Sequence, residues 1–305
     1  MAVTVLVTGA AGQVGRDLVQ VLAASVPPAG VATALLGATP VLPGEFDVVE
    51  LDHSKLDVTN AVACRKVITA AAPEVVVHLA AYTAVDRAES DVARAQLVNE
   101  IGTRNVAAAA EESSAHLIAL STDYVFAGDL GRALDEGDRV GPLSVYGRTK
   151  LDAERACPPG ATIVRTSWVA GLTGRSVVHL AAAAAQSGAE LRFVDDQVGT
   201  WTSAADLAAG LVQLIRVRPQ GIVHVAGSGG ASWYEIVRRA VELSGGSVDQ
   251  VQAISTAQLD PAPAAKRPPF SPLVSRRLGE FGSTPLPHWT DGLGRLVRAI
   301  DHEAR

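Results

Sequence analysis

Apolar and polar positions alternate along this chain with two periods. Residues 3–7 (VTVLV) form a short unbroken apolar run, as expected of a strand covered on both faces. Residues 16–24 (RDLVQVLAA) then take the three-to-four spacing of an amphipathic helix. The same change of period recurs downstream. Apolar runs at 47–51, 74–79, 116–120 and 162–166 predict further strands, and the pattern from about 92 to 113 predicts a helix. Strand–helix alternation of this kind predicts an α/β fold, a Rossmann-type doubly wound parallel sheet whose ligands sit at the carboxyl ends of its strands.

After Trp168 the order loosens. Residues 194–215 read as a turn and an amphipathic helix, 221–227 as a strand, 233–244 as a helix, and 260–273 as a proline-rich run. We therefore expect a dinucleotide-binding domain over 1–168 plus about 200–226. A smaller substrate-binding lobe is expected over about 169–199 and 227–305. Residues 24–46, with Pro27, Pro28, Pro40 and Pro43, predict a loop-rich insertion before the second strand. No self-similarity at solenoid periods is visible.

The link between the first strand and helix, TGAAGQVG at 8–15, supplies the first candidate chemistry. Gly9 permits a tight turn, Gly12 lets backbone approach a pyrophosphate, and Gly15 lets helix pack on strand. The helix N-terminus then offers free N–H groups to phosphates. Such spacing also occurs in ordinary strand–helix turns. Asp52, just past the second strand, is the candidate for the adenosine ribose hydroxyls, displaced along the chain by the insertion. About 130 residues downstream of the glycines, YGRTK at 146–150 puts Tyr146 and Lys150 one helical turn apart. A cation beside a buried phenol favours its phenolate, so this pair predicts a phenol that exchanges protons with a carbonyl. Thr122, beyond the run 117–120, would hold that carbonyl from a strand end.

Composition narrows the classes. The 305 residues are 48% apolar, which excludes disorder, and a formal charge of −6 argues against nucleic acid as a partner. Cys64 and Cys157 make neither a disulfide framework nor a zinc cluster, and no His pair has metal-ligand spacing, so no metal is expected. His78 and His224 sit inside apolar strands and read as satisfied core histidines. No secretory leader opens the chain, and the run at 177–186 is too short to cross a bilayer, so no membrane is expected and a cytoplasmic location is.

Taken together, TGAAGQVG, LDVTN (56–60), AAYTAVDRAES (80–90), STDYVFAG (121–128), YGRTKL, RTSWV (165–169), VDDQVGT (194–200) and KRPPFS (266–271) resemble the dTDP-4-dehydrorhamnose reductases. These belong to the extended short-chain dehydrogenase/reductase family. The resemblance covers nearly the whole chain, in order. It implies reduction of the 4-keto group of a dTDP-linked 4-keto-6-deoxy sugar by NADPH, or NADH. Under it Tyr146 is the proton donor, Lys150 lowers its pKa and holds the nicotinamide ribose, and Thr122 orients the carbonyl. Gly9, Gly12, Gln13 and Val14 match the pyrophosphate turn. Asp57 and Val58 match adenine-side contacts, while Ala80, Ala81 and Thr83 match the strip beside the nicotinamide. Val85, Asp123, Tyr124 and Trp168 match the sugar pocket, and Lys266 and Arg267 the neighbourhood of the sugar-nucleotide diphosphate.

Other readings stay open for some of these. Trp168 also suits a core aromatic, Asp123 a turn former, and Lys266 with Arg267 a solvated pair in a proline-rich loop. His53 stands where many relatives carry an arginine for a 2′-phosphate, which leaves NADPH against NADH undecided, with Arg16 as a possible substitute cation. Asp17 occupies the early position of a glutamate that some relatives use in a metal-bridged dimer, so the chain is expected as a monomer or homodimer. A sister enzyme acting on another dTDP-deoxysugar of secondary metabolism, and a non-catalytic NADP-binding regulatory subunit, are the alternative functions.

Overall fold

In the computed structural model, which describes residues 2–23 and 40–303, a six-stranded sheet forms the centre of the molecule. Its strands are β1 (Val3–Thr8), β2 (Phe46–Leu51), β3 (Val75–His78), β4 (His116–Thr122), β5 (Thr162–Thr166) and β6 (Gly221–His224). The spatial order is β6-β5-β4-β3-β1-β2, and every pairing is parallel. The order reverses between β1 and β3, which opens a crevice beyond their carboxyl ends. Leu6, Val5, Val7 and Val75 to Val77 are fully buried, as strands covered on both faces must be.

Helices clothe both faces. On one face α1 (Gln13–Ala23) buries Val14, Leu18, Val21 and Leu22. On the other, α2 (Ala61–Ala71) and α3 (Gly102–Glu112) pack with Leu6, Leu51 and Leu117. The helix expected from 92 to 113 is present but is not uniform. Helical turns at Val92–Gln96 lead into a π-helical turn, Leu97–Ile101, before α3 begins. One extra residue per turn there rotates Asn99 inward, where it is 1% exposed. Next, α4 (Val145–Ala156) starts at Ser144, whose hydroxyl accepts from Gly147 N at 3.1 Å.

Past β5 come α5 (Val177–Ser187), α6 (Ala204–Val217), α7 (Trp233–Leu243) and α8 (Trp289–Glu303). The helix α6 is buried along almost its whole length against α1 and the sheet. By contrast, α5, α7 and α8 share a separate apolar cluster built on Val178, Trp201, Ile236, Val241 and Leu293. A capping box at Ser232 and Glu235 fixes the start of α7. In the proline-rich region, 255–288, the chain makes short 3₁₀ turns and isolated bridges at Phe270, Leu273 and His288. The expected insertion falls largely outside the described residues: of its four prolines only Pro40 and Pro43 lie within them, and Glu45 nearby pairs with Arg216 of α6 at 2.7 Å.

Four strands end differently from expectation: β1 runs one residue further, to Thr8, β6 stops at His224 instead of residue 227, and two more shift beside the site. β3 stops at His78, so Leu79 to Thr83 are free to leave the sheet, and β4 runs on to Thr122. Among the described residues no helix is long and apolar enough to cross a membrane.

Candidate active site

A cavity of about 860 Å³ lies at the carboxyl ends of β1 to β5, over the point where the strand order reverses. One end is the glycine turn. Gly9 has φ +69°, and a Cβ there would stand 2.6 Å from Ala80 N, so only glycine lets the turn press on the segment after β3. A Cβ on Gly15 would stand 2.4 Å from Gly9 O, which closes the helix onto its own turn. Gly12, Gln13 and Val14 line the wall, and Gln13 Oε1 accepts from Gly171 N at 2.8 Å.

Asp52, His53, Asp57 and Val58 line the same cavity. Both carboxylates also organise their own turns. Asp52 Oδ1 accepts from Ser54 Oγ at 2.6 Å and Ser54 N at 2.9 Å, and Asp57 Oδ1 accepts from Thr59 Oγ1 at 2.8 Å. These hydrogen bonds hold both below the usual carboxylate range, so both present negative charge to the cavity. Arg16, considered above as a substitute cation, does not line the cavity; its guanidinium turns back to Ala11 O at 3.0 Å. The cation that does line this region is Arg94, close enough to Asp57 to help depress its pKa. Sequence reasoning had not found it, because an exposed arginine on a short helix carries no local signal.

Along the middle run Ala80, Ala81, Tyr82 and Thr83. Asn99 grips this strip by both backbone groups of Tyr82, accepting from its N–H at 2.7 Å and donating to its C=O at 3.1 Å. The same amide donates to Thr149 Oγ1 on α4 at 2.9 Å. Asn99 thus fastens the strip to the helix that carries Tyr146 and Lys150. A buried amide in an apolar stretch was a signal available in the sequence and not read there.

Thr122, Tyr146 and Lys150 come together on the wall beyond the strip. Gly147 makes this possible, since a Cβ there would fall 2.2 Å from Tyr124 O; helix and strand end meet backbone to backbone. The electrostatics differ from the expectation. Burial dominates, pushing the Tyr146 phenol up to about 12 while the nearby Thr122 hydroxyl pulls it partly back. Burial also lowers the Lys150 ammonium to about 8, and its Nζ donates to Leu120 O at 2.6 Å. The cation is therefore engaged with backbone, and the phenol keeps its proton at neutral pH. That is the protonation state a proton donor needs.

At the far end stand Val85, Asp123, Tyr124 and Trp168, all lining the cavity. Asp123 is fully buried, and burial raises its carboxyl to about 6. Tyr124 meets Tyr146 edge-on at 5.5 Å, with its own phenol pushed up by burial. Trp168 is stacked on Trp233 with ring centroids 4.1 Å apart and planes 7° from parallel. Its backbone lies at φ +45°, and a Cβ on Gly199 would be 2.5 Å from its ring, so the glycine of VDDQVGT seats the indole. Trp233, at the first residue of α7, was also missed; only folding brings the two indoles together.

Lys266 and Arg267 are placed elsewhere. Neither lines the cavity. Lys266 is exposed, and Arg267 forms a two-pronged pair with Asp86 at 3.0 and 2.5 Å at the cavity's rim, near Tyr124. His78 is a satisfied core histidine, bonded to Thr8 at 2.7 Å and Thr103 at 3.1 Å, with burial holding its pKa near 3. His224 is held less fully: Nδ1 reaches Val274 O at 3.0 Å, while Nε2 makes no hydrogen bond of good geometry among the described residues. Asp17 is buried on the inner face of α1, and among the described residues no three His, Cys, Asp or Glu side chains cluster as a metal site would require.

The site's parts fit a dinucleotide laid from the glycine turn, past two carboxylates, to the Thr122–Tyr146–Lys150 wall. Comparisons with known proteins place the chain in a family. Residues 3–302 match the family model described as RmlD substrate binding domain. The chain is 36% identical over 307 residues to the dTDP-4-dehydrorhamnose reductase of Mycolicibacterium smegmatis, covering 98% of this chain and 86% of that one. It is 34% identical over 292 residues to the dTDP-4-keto-6-deoxy-D-glucose reductase of Streptomyces niveus, covering 94% of each. Its fold superposes on the crystal structure of dTDP-4-dehydrorhamnose reductase from Bacillus anthracis in complex with NADP, with a TM-score of 0.85, 32% identity and 97% and 99% coverage.

Proposed function

The chain belongs to the RmlD substrate binding domain family, and from that premise we propose that it reduces the 4-keto group of a dTDP-linked 4-keto-6-deoxyhexose with NADPH. The carrying observation is the convergence of Thr122, Tyr146 and Lys150 on one wall of a cavity whose other end is the glycine turn. The bound dinucleotide supplies the hydride. The protein supplies position and proton: Tyr146 O–H protonates the carbonyl oxygen as it gains charge, and Thr122 Oγ1 orients that oxygen. Lys150 Nζ, held by Leu120 O in the free protein, offers two further donors for the nicotinamide ribose and steadies the phenolate once it forms.

Gly9, Gly12, Gln13 and Val14 take the pyrophosphate, Asp52 the adenosine ribose with His53 beside it, and Asp57 and Val58 the adenine. Ala80, Ala81 and Thr83 flank the nicotinamide. Val85, Asp123, Tyr124 and Trp168 receive the sugar, and the elements after Trp168 that surround α7 form the substrate lobe. Arg267 approaches the diphosphate from the rim once the nucleotide sugar is in place, while Lys266 adds only diffuse positive charge. dTDP-4-dehydrorhamnose is the substrate we favour, with dTDP-L-rhamnose as product. We place the reaction in the cytoplasm, where the two cysteines, both free thiols, would persist.

A second sugar is supported by the similarity to the Streptomyces niveus reductase. The test offers the purified chain dTDP-4-keto-6-deoxy sugars with and without a 2-hydroxyl, with NADPH and NADH, and compares kcat/KM. Turnover of a dTDP-4-keto sugar with loss in Tyr146→Phe supports the reading, and cofactor binding without any turnover would make the chain a binding subunit instead.

A further inference from the structure

The motifs STDYVFAG and RTSWV open on Ser121 and Arg165, to which the proposed reaction assigns no step. The two are register partners on the neighbouring strands β4 and β5. The next pair in that register, Thr122 and Thr166, borders the cavity. Both side chains end on one carboxylate. Ser121 Oγ donates to Glu154 Oε1 at 2.5 Å, and Arg165 Nε donates to the same oxygen at 2.8 Å. Arg165 Nη2 donates to Oε2 at 2.7 Å. Ser121, Arg165 and Glu154 are all buried, and neither Glu154 nor Arg165 lines the cavity.

Glu154 lies on α4 one turn beyond Lys150 and two beyond Tyr146, so the three share a face of the helix. Successive turns of that face engage β4. Lys150 Nζ donates to Leu120 O at 2.6 Å, and Glu154 takes the next residue, Ser121, immediately before Thr122. Through Arg165 the same carboxylate reaches the end of β5, which leads on to Trp168. Side-chain packing does not close this seam: Ser121, Lys150, Ala153 and Glu154 line a void of about 10 Å³. Hydrogen bonds set the spacing of helix and strand there.

We propose, on the reading of this chain as a ketone reductase, that Glu154 is a positioning residue: its three hydrogen bonds lock the ends of β4 and β5 to α4, and so fix Thr122 against Tyr146 and Lys150. A purely stabilising role fits the pair less well. Two buried charges cost about what their attraction returns, and a well-packed apolar pair of similar volume is often as stable or more so. The cost is enlarged here, since Arg165 Nη1 makes no hydrogen bond among the described residues. Its guanidinium rests on the Phe126 ring, 4.9 Å from the centroid. Charged, two-pronged hydrogen bonds fix direction as well as distance, which apolar contact does not. A shift of about 1 Å between reacting groups is enough to slow a chemical step strongly. Glu154 also opposes the burial that lowers the Lys150 ammonium, so one variant has to leave its charge in place.

Two variants separate position from stability and from charge. Glu154→Leu combined with Arg165→Met removes both charges together at similar volume, so it should melt near wild type. Its kcat should nevertheless fall roughly ten- to hundredfold, while KM for the nucleotide sugar and Kd for NADPH stay within about threefold. NADPH deuterated at the transferred position should then show a larger isotope effect on kcat than in wild type, because hydride transfer has become limiting. Ser121→Ala deletes only the strand's hydrogen bond and leaves Glu154 paired with Arg165. It should lower kcat roughly fivefold with the same isotope signature and a melting temperature near wild type. Wild-type kcat in either variant, or a raised KM at unchanged kcat, overturns the proposal; slowing of the double variant alone would assign the effect to the Glu154 charge. If the double variant does not fold, Ser121→Ala decides by itself. Wild-type protein without any turnover of a dTDP-keto sugar would instead sink the reductase reading, and the positioning role with it.

Discussion

Asn99 holds Tyr82 by both of its backbone groups, at 2.7 and 3.1 Å, from inside a π-helical turn. The contact sets the distance between the strip Ala80 to Thr83 and the catalytic helix, since the same amide also reaches Thr149. Replacing it frees the strip and strands a polar group in a site that is 1% exposed. Asn99→Leu should therefore cost about 1–3 kcal/mol of stability. Its kcat should drop further than that loss explains, because a strip displaced by about 1 Å misplaces the reacting partners. Chemical denaturation alongside steady-state kinetics checks both parts; unchanged kcat would leave Asn99 a purely structural residue.

Tyr146→Phe removes the proton and nothing else of size. Since the phenol keeps its proton to about 12, its loss should lower kcat by about two to four orders of magnitude while NADPH affinity stays near wild type. Fluorescence titration of the dinucleotide separates the two effects. Wild-type-like turnover would remove Tyr146 from the chemistry.

Gly147 and Gly160 make a matched pair. A Cβ at Gly147 would meet Tyr124 O at 2.2 Å, while one at Gly160 would meet nothing within 4 Å. Gly147→Ala must push α4 off the strand end that bears Thr122, so we expect at least about 2 kcal/mol of lost stability and a large fall in kcat. Gly160→Ala should leave both within error. Thermal melts and activities of the pair decide it.

The end of the cavity where we place the adenosine holds Arg94 beside Asp57, with His53 at the same wall. A 2′-phosphate is drawn by a guanidinium and repelled by Asp52 and Asp57, so cofactor choice turns on which charge reaches it. Arg94→Ala should weaken NADPH binding by about tenfold and NADH binding far less, as about 1.4 kcal/mol of charge-assisted contact is lost. Equal losses for both dinucleotides would place Arg94 against the adenine instead.

Where the chain's chemistry depends on neighbours in sequence, it could be read in advance. The strand–glycine–helix start needed only residues 3–23, and Gly9 occupies the left-handed turn its position called for. Tyr146 and Lys150 were legible as one helical turn, and Thr122 as a strand end. What stayed hidden depends on folding. Asn99 meets Thr149 across 50 residues, and Arg267 meets Asp86 across 181, so the expected diphosphate cation was found paired at the rim. Three helices, α2, α5 and α8, were also not read in advance, the first two for lack of contrast. In α2 only Cys64 and Ile68 are buried, and α5 buries Val178 with alanines, whose small side chains barely mark a face. Lys150 shows the limit differently: its spacing from Tyr146 was legible, but that its ammonium would choose Leu120 O was not.

Asp17 offers a test of burial free of the catalytic groups. It sits on α1 at 7% exposure, 3.6 Å from where a Cβ on Gly171 would stand, and burial raises its carboxyl from 3.8 to about 6. A raised carboxyl binds its proton more tightly in the folded chain than in the unfolded one. Between those two values folding takes up a proton, so stability rises as pH falls through 6 and levels off below about 4. Above 6 the ionised group carries the full desolvation cost, about 1–3 kcal/mol. Asp17→Asn keeps the shape and removes the charge. Its stability gain over wild type should be largest at pH 7–8, shrink through pH 6 to 4, and be absent below that. A gain that does not vary with pH would show that Asp17 is ionised at no cost, and that the α1 face it occupies is wetter than its exposure indicates.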